Sequence, residues 1–486
     1  MASEWGAVDL QFRWVLLAVF LWWMLLRRWE ADGTLDRWNA SRALGFILMV
    51  RTQRGLGMLE RLATPRRFWR AYGEVATWVC VGTMLLAGLL VVLSFGITML
   101  EGGATDPPPP SELVAIPGLN PVIPLGWGAI AFVVALVIHE FGHGLLARGH
   151  GMRVRSFGLL QLGPVPLGAF AEPQSEELMR APRRERLRMF AAGPATNLFA
   201  AMALLLLLGG LAGQFSAADD GVHIRGVVVG SGAEEAGLAP WDRIVSIDEE
   251  AIVNDADFRD ALDGHEAGDT VVLRLVNLEG TERTTEAVLS DKRAHFAEDG
   301  WTTQQLDAAG IEEGDAFLGV QQVADGTVGI DRLAGPLAPG VEAPLTTRLL
   351  ATPIHALTLI FVPFELQGVA MHPVEEGMLA AGDGVIASVF GVEGMLVLVN
   401  LMFWLIWVNL LLGFTNLIPM VPFDGGHMFR DVAHGSLEQV RRAGKKTRLF
   451  SISGHRTEAL AMRATSMTSL GLFLMLVLMI LIPYLR

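Results

Sequence analysis

His139-Glu140-Phe141-Gly142-His143 sets two imidazoles four residues apart with a carboxylate beside the first. An α-helix turns about 100° per residue, so positions i and i+4 return to within about 40° of each other and both rings reach toward one point. That spacing suits chelation of one divalent cation, zinc above all, with the glutamate free to move protons. Cys80 is the only cysteine and sits in an apolar run, so a thiolate zinc site and an intrachain disulfide are both excluded. Any metal must be held by His, Asp or Glu. Two neutral imidazoles rarely suffice for zinc, which calls for a third protein ligand and leaves the fourth position to water. Asp424 and His427 compete for that role, in the run Asn416-Leu417-Ile418-Pro419-Met420-Val421-Pro422-Phe423-Asp424-Gly425-Gly426-His427. Asp424 would bring the site to formal neutrality together with Glu140, which lowers the cost of burying it. His427 would leave one positive charge over, and three residues after Asp424 it could instead be a hydrogen-bonding partner of a ligand. Zinc activates water and polarises carbonyls, and a neighbouring carboxylate can take a proton and return it to a leaving amine. Peptide hydrolysis is the reaction these parts serve.

The elements that must position them are largely apolar. Of 486 residues 52% are hydrophobic and 18% charged, against roughly a quarter charged in soluble globular proteins. A wholly soluble, disordered or nucleic-acid-binding chain is therefore excluded. Six stretches, about 9–28, 75–100, 124–147, 189–212, 395–419 and 468–485, are apolar enough to span a bilayer. The N-terminal side of the first carries Glu4 and Asp9, and its apolar residues give way to Arg27 and Arg28 at the other end, which fits an uncleaved anchor. The shorter run 353–364 contains Pro353 and Pro363 and reads as interfacial or re-entrant. His139, Glu140 and His143 thus lie on a spanning segment, where ionisable groups are costly and persist when paired or functional.

Net charge is −14, yet residues 221–345 hold 25 acidic against 8 basic residues, so one acidic soluble domain is embedded in a mildly basic membrane protein. Only three of the 37 basic residues are lysine, which suggests a halophilic host with a salty cytoplasm or a genome rich in arginine codons. Residues 27–70 contain ten Arg, 148–188 contain eight, 430–463 contain eight Arg plus Lys, and 99–122 contain none. The positive-inside rule makes the three basic segments cytoplasmic and puts Gly102–Pro121 and the acidic region outside.

Within the acidic region the order Val227–Val229, Gly232-Ala233-Glu234-Glu235-Ala236-Gly237-Leu238, Asp242–Asp248, a helix over 255–263 and an alternating strand Val271–Val276 resembles the circularly permuted PDZ modules of bacterial and archaeal membrane proteases. Ala233, Trp241 and Glu249-Glu250 depart from the usual proline, glycine and Asp/Asn-Gly. With His-Glu-x-x-His, Gly193-Pro194-Ala195-Thr196-Asn197 and Asn416-x-x-Pro419…Asp424-Gly425-Gly426 in order over roughly 120–485, the chain resembles the site-2 proteases, zinc intramembrane metalloproteases. The resemblance implies one zinc ion on His139, His143 and Asp424, with Glu140 as base. Asn197 and Asn416 would support substrate or oxyanion, and Gly158–Ala171 would form a β-hairpin dipping into the membrane beside the site, whose strand edge could pair with an unwound substrate.

The expected architecture is a polytopic α-helical membrane protein of about six transmembrane helices with an inserted α+β PDZ-like soluble domain. Its parts are an N-terminal extension with two transmembrane helices and a basic loop (1–118), a first catalytic part (119–215), the PDZ-like domain (221–290), a connector (291–394) and a second catalytic part (395–486). The resemblance implies transmembrane protein substrates, shortened beforehand on their outer side. Membrane lipid and peptide termini at the PDZ-like domain are the other expected partners. A membrane-anchored PDZ binding protein with a vestigial zinc site, and an ion or metal transporter, are the competing functions; the intact His, His, Asp and Glu set disfavours the first, and the absence of inverted repeats disfavours the second. The orientation predicts that, with Cys80 replaced, a cysteine at position 250 reacts with an impermeant maleimide on intact cells. Labelling only after lysis reverses the topology.

Overall fold

The computed structural model describes residues 2–43, 45–101, 109, 111–113, 115–163, 165–321, 324–447 and 453–485. Two compact units divide the chain, Met1–Leu204 with Trp404–Arg486, and Leu205–Phe403. Among the described residues five helices are long and apolar enough to cross a membrane: Arg66–Leu100, Leu125–Gly149, Arg183–Ala212, Val385–Asn416 and Gly454–Tyr484. They coincide with the second to sixth expected spans, and the chain is a multi-pass membrane protein. A helix satisfies its own backbone groups, which is what an apolar run in lipid requires. The expected span at 9–28 lies in the helix Ala2–Ala31, but begins on residues whose side chains are outside those described, as does most of the proline-rich 102–110 stretch.

The first unit also holds an antiparallel sheet in the order β1 (Ala40–Ala43), β2 (Ile47–Thr52), β3 (Val154–Leu162), β4 (Val165–Pro173). β3 and β4 are the implied hairpin, pairing from Val154↔Pro173 to Leu162↔Val165. β1 and β2 correct the reading of 27–70 as a basic loop alone. β2 pairs with β3 from Leu48↔Gln161 to Thr52↔Phe157, and the following helix Leu56–Leu62 buries Leu59 against Leu145, Leu146 and Met152. The N-terminal extension is therefore built into the catalytic unit.

The second unit contains the PDZ-like domain. Strands 282–288, 270–276, 243–247 and 222–223 form an antiparallel sheet, with 250–251 folded back on 243–247. The sheet and the helix Asp255–Asp263, capped by Asn254 and Asp257, enclose Ile224, Ile244, Phe258, Val271, Leu273 and Leu275. The domain runs past the expected boundary at 290. Leu318 lies in the same core, and Val320–Gln321 pairs with Gly226–Val227; a two-residue strand is too short to leave a periodic signal. The run 353–364 divides into the end of the helix Leu345–Thr358 and the short helix Val362–Glu365.

Trp241 adopts φ 73°, the left-handed backbone that favours glycine. Its ring stacks on His372 at 5.1 Å and lies under the Arg225 guanidinium at 5.4 Å, contacts a glycine would forgo. Arg225 also reaches the buried Glu375 at 2.9 Å, and Arg332 grips the same carboxylate through two bonds of 2.9 and 2.8 Å. Burial pushes the Glu375 carboxyl up, but the bonds and charge of Arg332, then the His372 N–H and the charge of Arg225, outweigh it and hold its pKa below the ordinary value. A depressed carboxyl stabilises the fold above its unfolded pKa of about 4.3 and loses that contribution as pH falls toward the folded value. Glu375→Gln should destabilise this unit by on the order of 3 kcal/mol at neutral pH, because two cations lose their buried partner. Hydrogen exchange over 222–333 should show the loss at pH 7 and a convergence with wild type below about pH 4.

Candidate active site

The helix Leu125–Gly149 presents His139 and His143 one turn apart. Their Nε2 atoms face each other at 3.2 Å, and Asp424 Oδ2 lies 3.3 Å from His139 Nε2 and 3.2 Å from His143 Nε2. These three residues form a group able to hold a metal ion. His427 stands outside it; its ring stacks on Phe190, with centroids 4.8 Å apart and planes 11° from parallel.

Hydrogen bonds behind the rings fix which nitrogens are free. His139 Nδ1–H donates to Asn197 Oδ1 and His143 Nδ1–H donates to the Met189 carbonyl, both at 2.8 Å. Each proton held at Nδ1 leaves an Nε2 lone pair turned toward the other and toward a carboxylate. Three electron-rich atoms so arranged need a cation between them. At zinc bond lengths of 2.0–2.2 Å, tetrahedral ligands stand about 3.3 Å apart, which these separations match. The donor set therefore fits zinc.

Close packing brings the donors together. A Cβ at Gly193 would lie 2.4 Å from His143 Nε2 and 2.7 Å from His139 Nε2, so the helix Arg183–Ala212 meets the imidazoles with bare backbone. Pro194 within that helix has no N–H and crowds the preceding turn, where the Met189 carbonyl turns to His143. Gly142 opposes Thr196 and the Ala192 carbonyl, at 2.5 and 2.9 Å from its would-be Cβ; small residues permit such approach between membrane helices. Asp424 opens the helix Asp424–Thr447. Gly425 and Gly426 press on the backbone of Leu417 and Met420, each 2.5 Å from a Cβ that glycine lacks, which folds the 417–423 turn under the carboxylate.

Asn197 is wholly buried, and its hydrogen bonds run to His139 and to the neighbouring helices. Nδ2 donates to the Ala135 carbonyl at 3.1 Å and to Asn409 Oδ1 at 2.9 Å. With Oδ1 taken by His139, the amide is committed to orienting a ring. The Asn416 amide donates to the Leu412 carbonyl of its own helix at 3.0 Å. Glu140 Oε2 accepts from the Ala171 backbone N–H at 2.7 Å, so this carboxylate touches β4. Asn409 and the Ala171 N–H were absent from the sequence reading; a lone asparagine in the apolar run 395–419 was the available signal for the first.

Two histidines on one membrane helix meet a remote carboxylate in a group able to hold a metal ion, with a glutamate beside the first histidine. The chain belongs to peptidase family M50, the site-2 proteases, whose model matches residues 127–453. An uncharacterized protein of Methanocaldococcus jannaschii is 30% identical over 194 residues, 40% of this chain and 50% of that one, so the match spans half of that relative. The zinc metalloprotease Rip1 of Mycolicibacterium smegmatis is 25% identical over 378 residues, 67% of this chain and 88% of its own. Among solved structures, the PDZ domain of an SdrC-like protein from Listeria monocytogenes matches 22% of this chain and 90% of that one at 20% identity, with a TM-score of 0.16.

The geometry separates the candidates by their zinc content. Asp424→Ala should empty the site, His427→Ala should keep the metal, and Asn197→Leu should weaken zinc affinity about 10 to 100-fold, as loss of a group supporting a ligand does. Metal analysis of the purified variants reads all three; zinc kept by Asp424→Ala and lost by His427→Ala reverses the ligand assignment.

Proposed function

We propose that this protein is an intramembrane endopeptidase carrying one zinc ion on His139, His143 and Asp424, which cuts peptide bonds in or near the transmembrane helices of membrane-tethered regulatory proteins. The observation that carries the reading is Glu140, bound to the unpaired edge of a strand on one side and adjoining the metal-binding group on the other. When bound, zinc brings a water molecule to readiness near neutral pH and polarises the scissile carbonyl.

This chain's own residues supply the rest. β4 ends its sheet, and the Ala171 N–H points off that edge to Glu140. An unwound substrate segment adds there as a further strand, its main chain held by hydrogen bonds that no helix can offer. The Ala171 N–H then passes from Glu140 to the substrate, releasing the carboxylate. Glu140 takes the proton of the attacking water and returns it to the leaving nitrogen. Asn197 and the Met189 carbonyl keep both imidazoles in the Nε2-free tautomer throughout. The centre lies toward the cytoplasmic face and the PDZ-like domain outside, where it takes peptide termini of substrates already shortened; lipid surrounds the rest.

Glu140→Gln should abolish cleavage of a transmembrane peptide in detergent, a loss of at least 100-fold, while the zinc-to-protein ratio stays at that of wild type. A chelator should stop the wild-type enzyme, and zinc should restore it. Loss of the metal along with activity in Glu140→Gln makes the glutamate structural and sinks its role as base.

A further inference from the structure

A cavity of about 350 Å³ opens beside Glu140, walled by Val50, Met58, Phe141, Phe157 and Phe170. That is the lower end of the range of ordinary small-ligand pockets, roughly 300–1,000 Å³. Its shape is set by the sheet. Gly158 faces Phe170 across the β3–β4 ladder, and a Cβ there would lie 2.0 Å from the Phe170 ring, so the ring fills the space over the glycine and forms one wall. Phe141 of the histidine helix stacks on Phe157 of β3, with centroids 5.9 Å apart and planes 21° from parallel, and closes a second. The third wall comes from the N-terminal extension. β2 holds Val50 opposite Leu159 through the β2–β3 ladder, and Met58 follows on the next helix. Val50 and Met58 precede residue 127, where the match to the family begins.

We infer that this cavity is a specificity pocket for one large apolar side chain of the cleaved peptide, of the leucine, methionine or phenylalanine kind, at a position adjoining the scissile bond. The inference rests on the protease reading and deepens it. A strand added to the β4 edge sends alternate side chains to opposite faces, and the base that serves the bond lines the same cavity. A residue next to that bond therefore has its side chain directed into an apolar chamber. Polar groups on the lining are confined to Thr52, Arg54 and Glu140, and a charged or amide side chain seated against the apolar walls would be desolvated at a cost of a few kcal/mol. Selection thus acts through Val50 and Met58, residues that take no part in the chemistry.

The test is a set of transmembrane peptides carrying Leu, Phe, Ala or Asp at each position flanking the cleaved bond, which mass spectrometry locates. Wild type should favour Leu or Phe over Ala by about 10-fold or more in kcat/KM at one of these positions. Val50→Trp, which fills the cavity, should cut that Leu-to-Ala ratio at least 10-fold, and Val50→Ala, which enlarges it, should move the preference from Leu toward Phe. Ratios unchanged in both variants, or Leu and Ala peptides falling by one common factor, overturn the pocket while leaving the protease standing. A readout without turnover guards against variants that merely misfold. In a Glu140→Gln, Met58→Cys chain, a peptide cysteine at the selected position should form a disulfide and one at the next position should not; equal reaction at both overturns the proposal. Absence of any chelator-sensitive cleavage by wild type overturns the protease reading, and the pocket's role with it.

Discussion

Two imidazole lone pairs and a carboxylate oxygen, all about 3.2 to 3.3 Å apart, converge where the side chains are largely buried. Without a cation the arrangement repels itself, and with one it is formally near neutral, which is what makes it tolerable in an apolar setting. The neighbouring elements are arranged around that convergence. Asn197 and the Met189 carbonyl hold the Nδ1 protons, Gly193 leaves room for the rings, and Gly425 and Gly426 let a turn of backbone sit directly beneath Asp424. A methyl group at any of these glycines would meet an imidazole or a main-chain carbon at about 2.4 to 2.5 Å.

The histidine pair was legible in the sequence because its geometry is local; four residues on one helix decide it. Asp424 lies some 280 residues away, and only membrane depth and motif order linked it to the pair. Asn197 shows what such reasoning lacks. An amide can donate or accept, and which it does here depends on Ala135 and Asn409, partners 62 and 212 residues distant. Strand pairing is nonlocal in the same way. β1 and β2 come from an arginine-rich segment that reads as a loop, since four and six residues are too few for a clear period-two pattern. The closing strand of the PDZ-like domain has two residues and is visible only in its pairing. The departures from the PDZ pattern have a physical basis in the second unit, where the left-handed Trp241 is held between Arg225 and His372 and the turn falls on Asp248 and Glu249, both with positive φ.

Strand edges tie the N-terminal extension to the chemistry. An exposed edge is a template for any extended chain, and proteins blunt the edges they do not use. The β3–β4 hairpin alone would offer two long edges, of nine residues each, and a substrate paired to β3 would lie on the far side from Glu140. By adding β2 and β1, the extension covers β3 and moves the far edge to a strand of four residues. Within this four-stranded sheet the one long edge left is β4, whose Ala171 N–H already meets Glu140. The same two ladders that close the unproductive edge carry Val50 to the wall of the cavity beside Glu140. On the proposed reading, guidance of the main chain and selection of a side chain would depend on one set of backbone hydrogen bonds, and the extension would bear on what is cut without approaching the histidine pair.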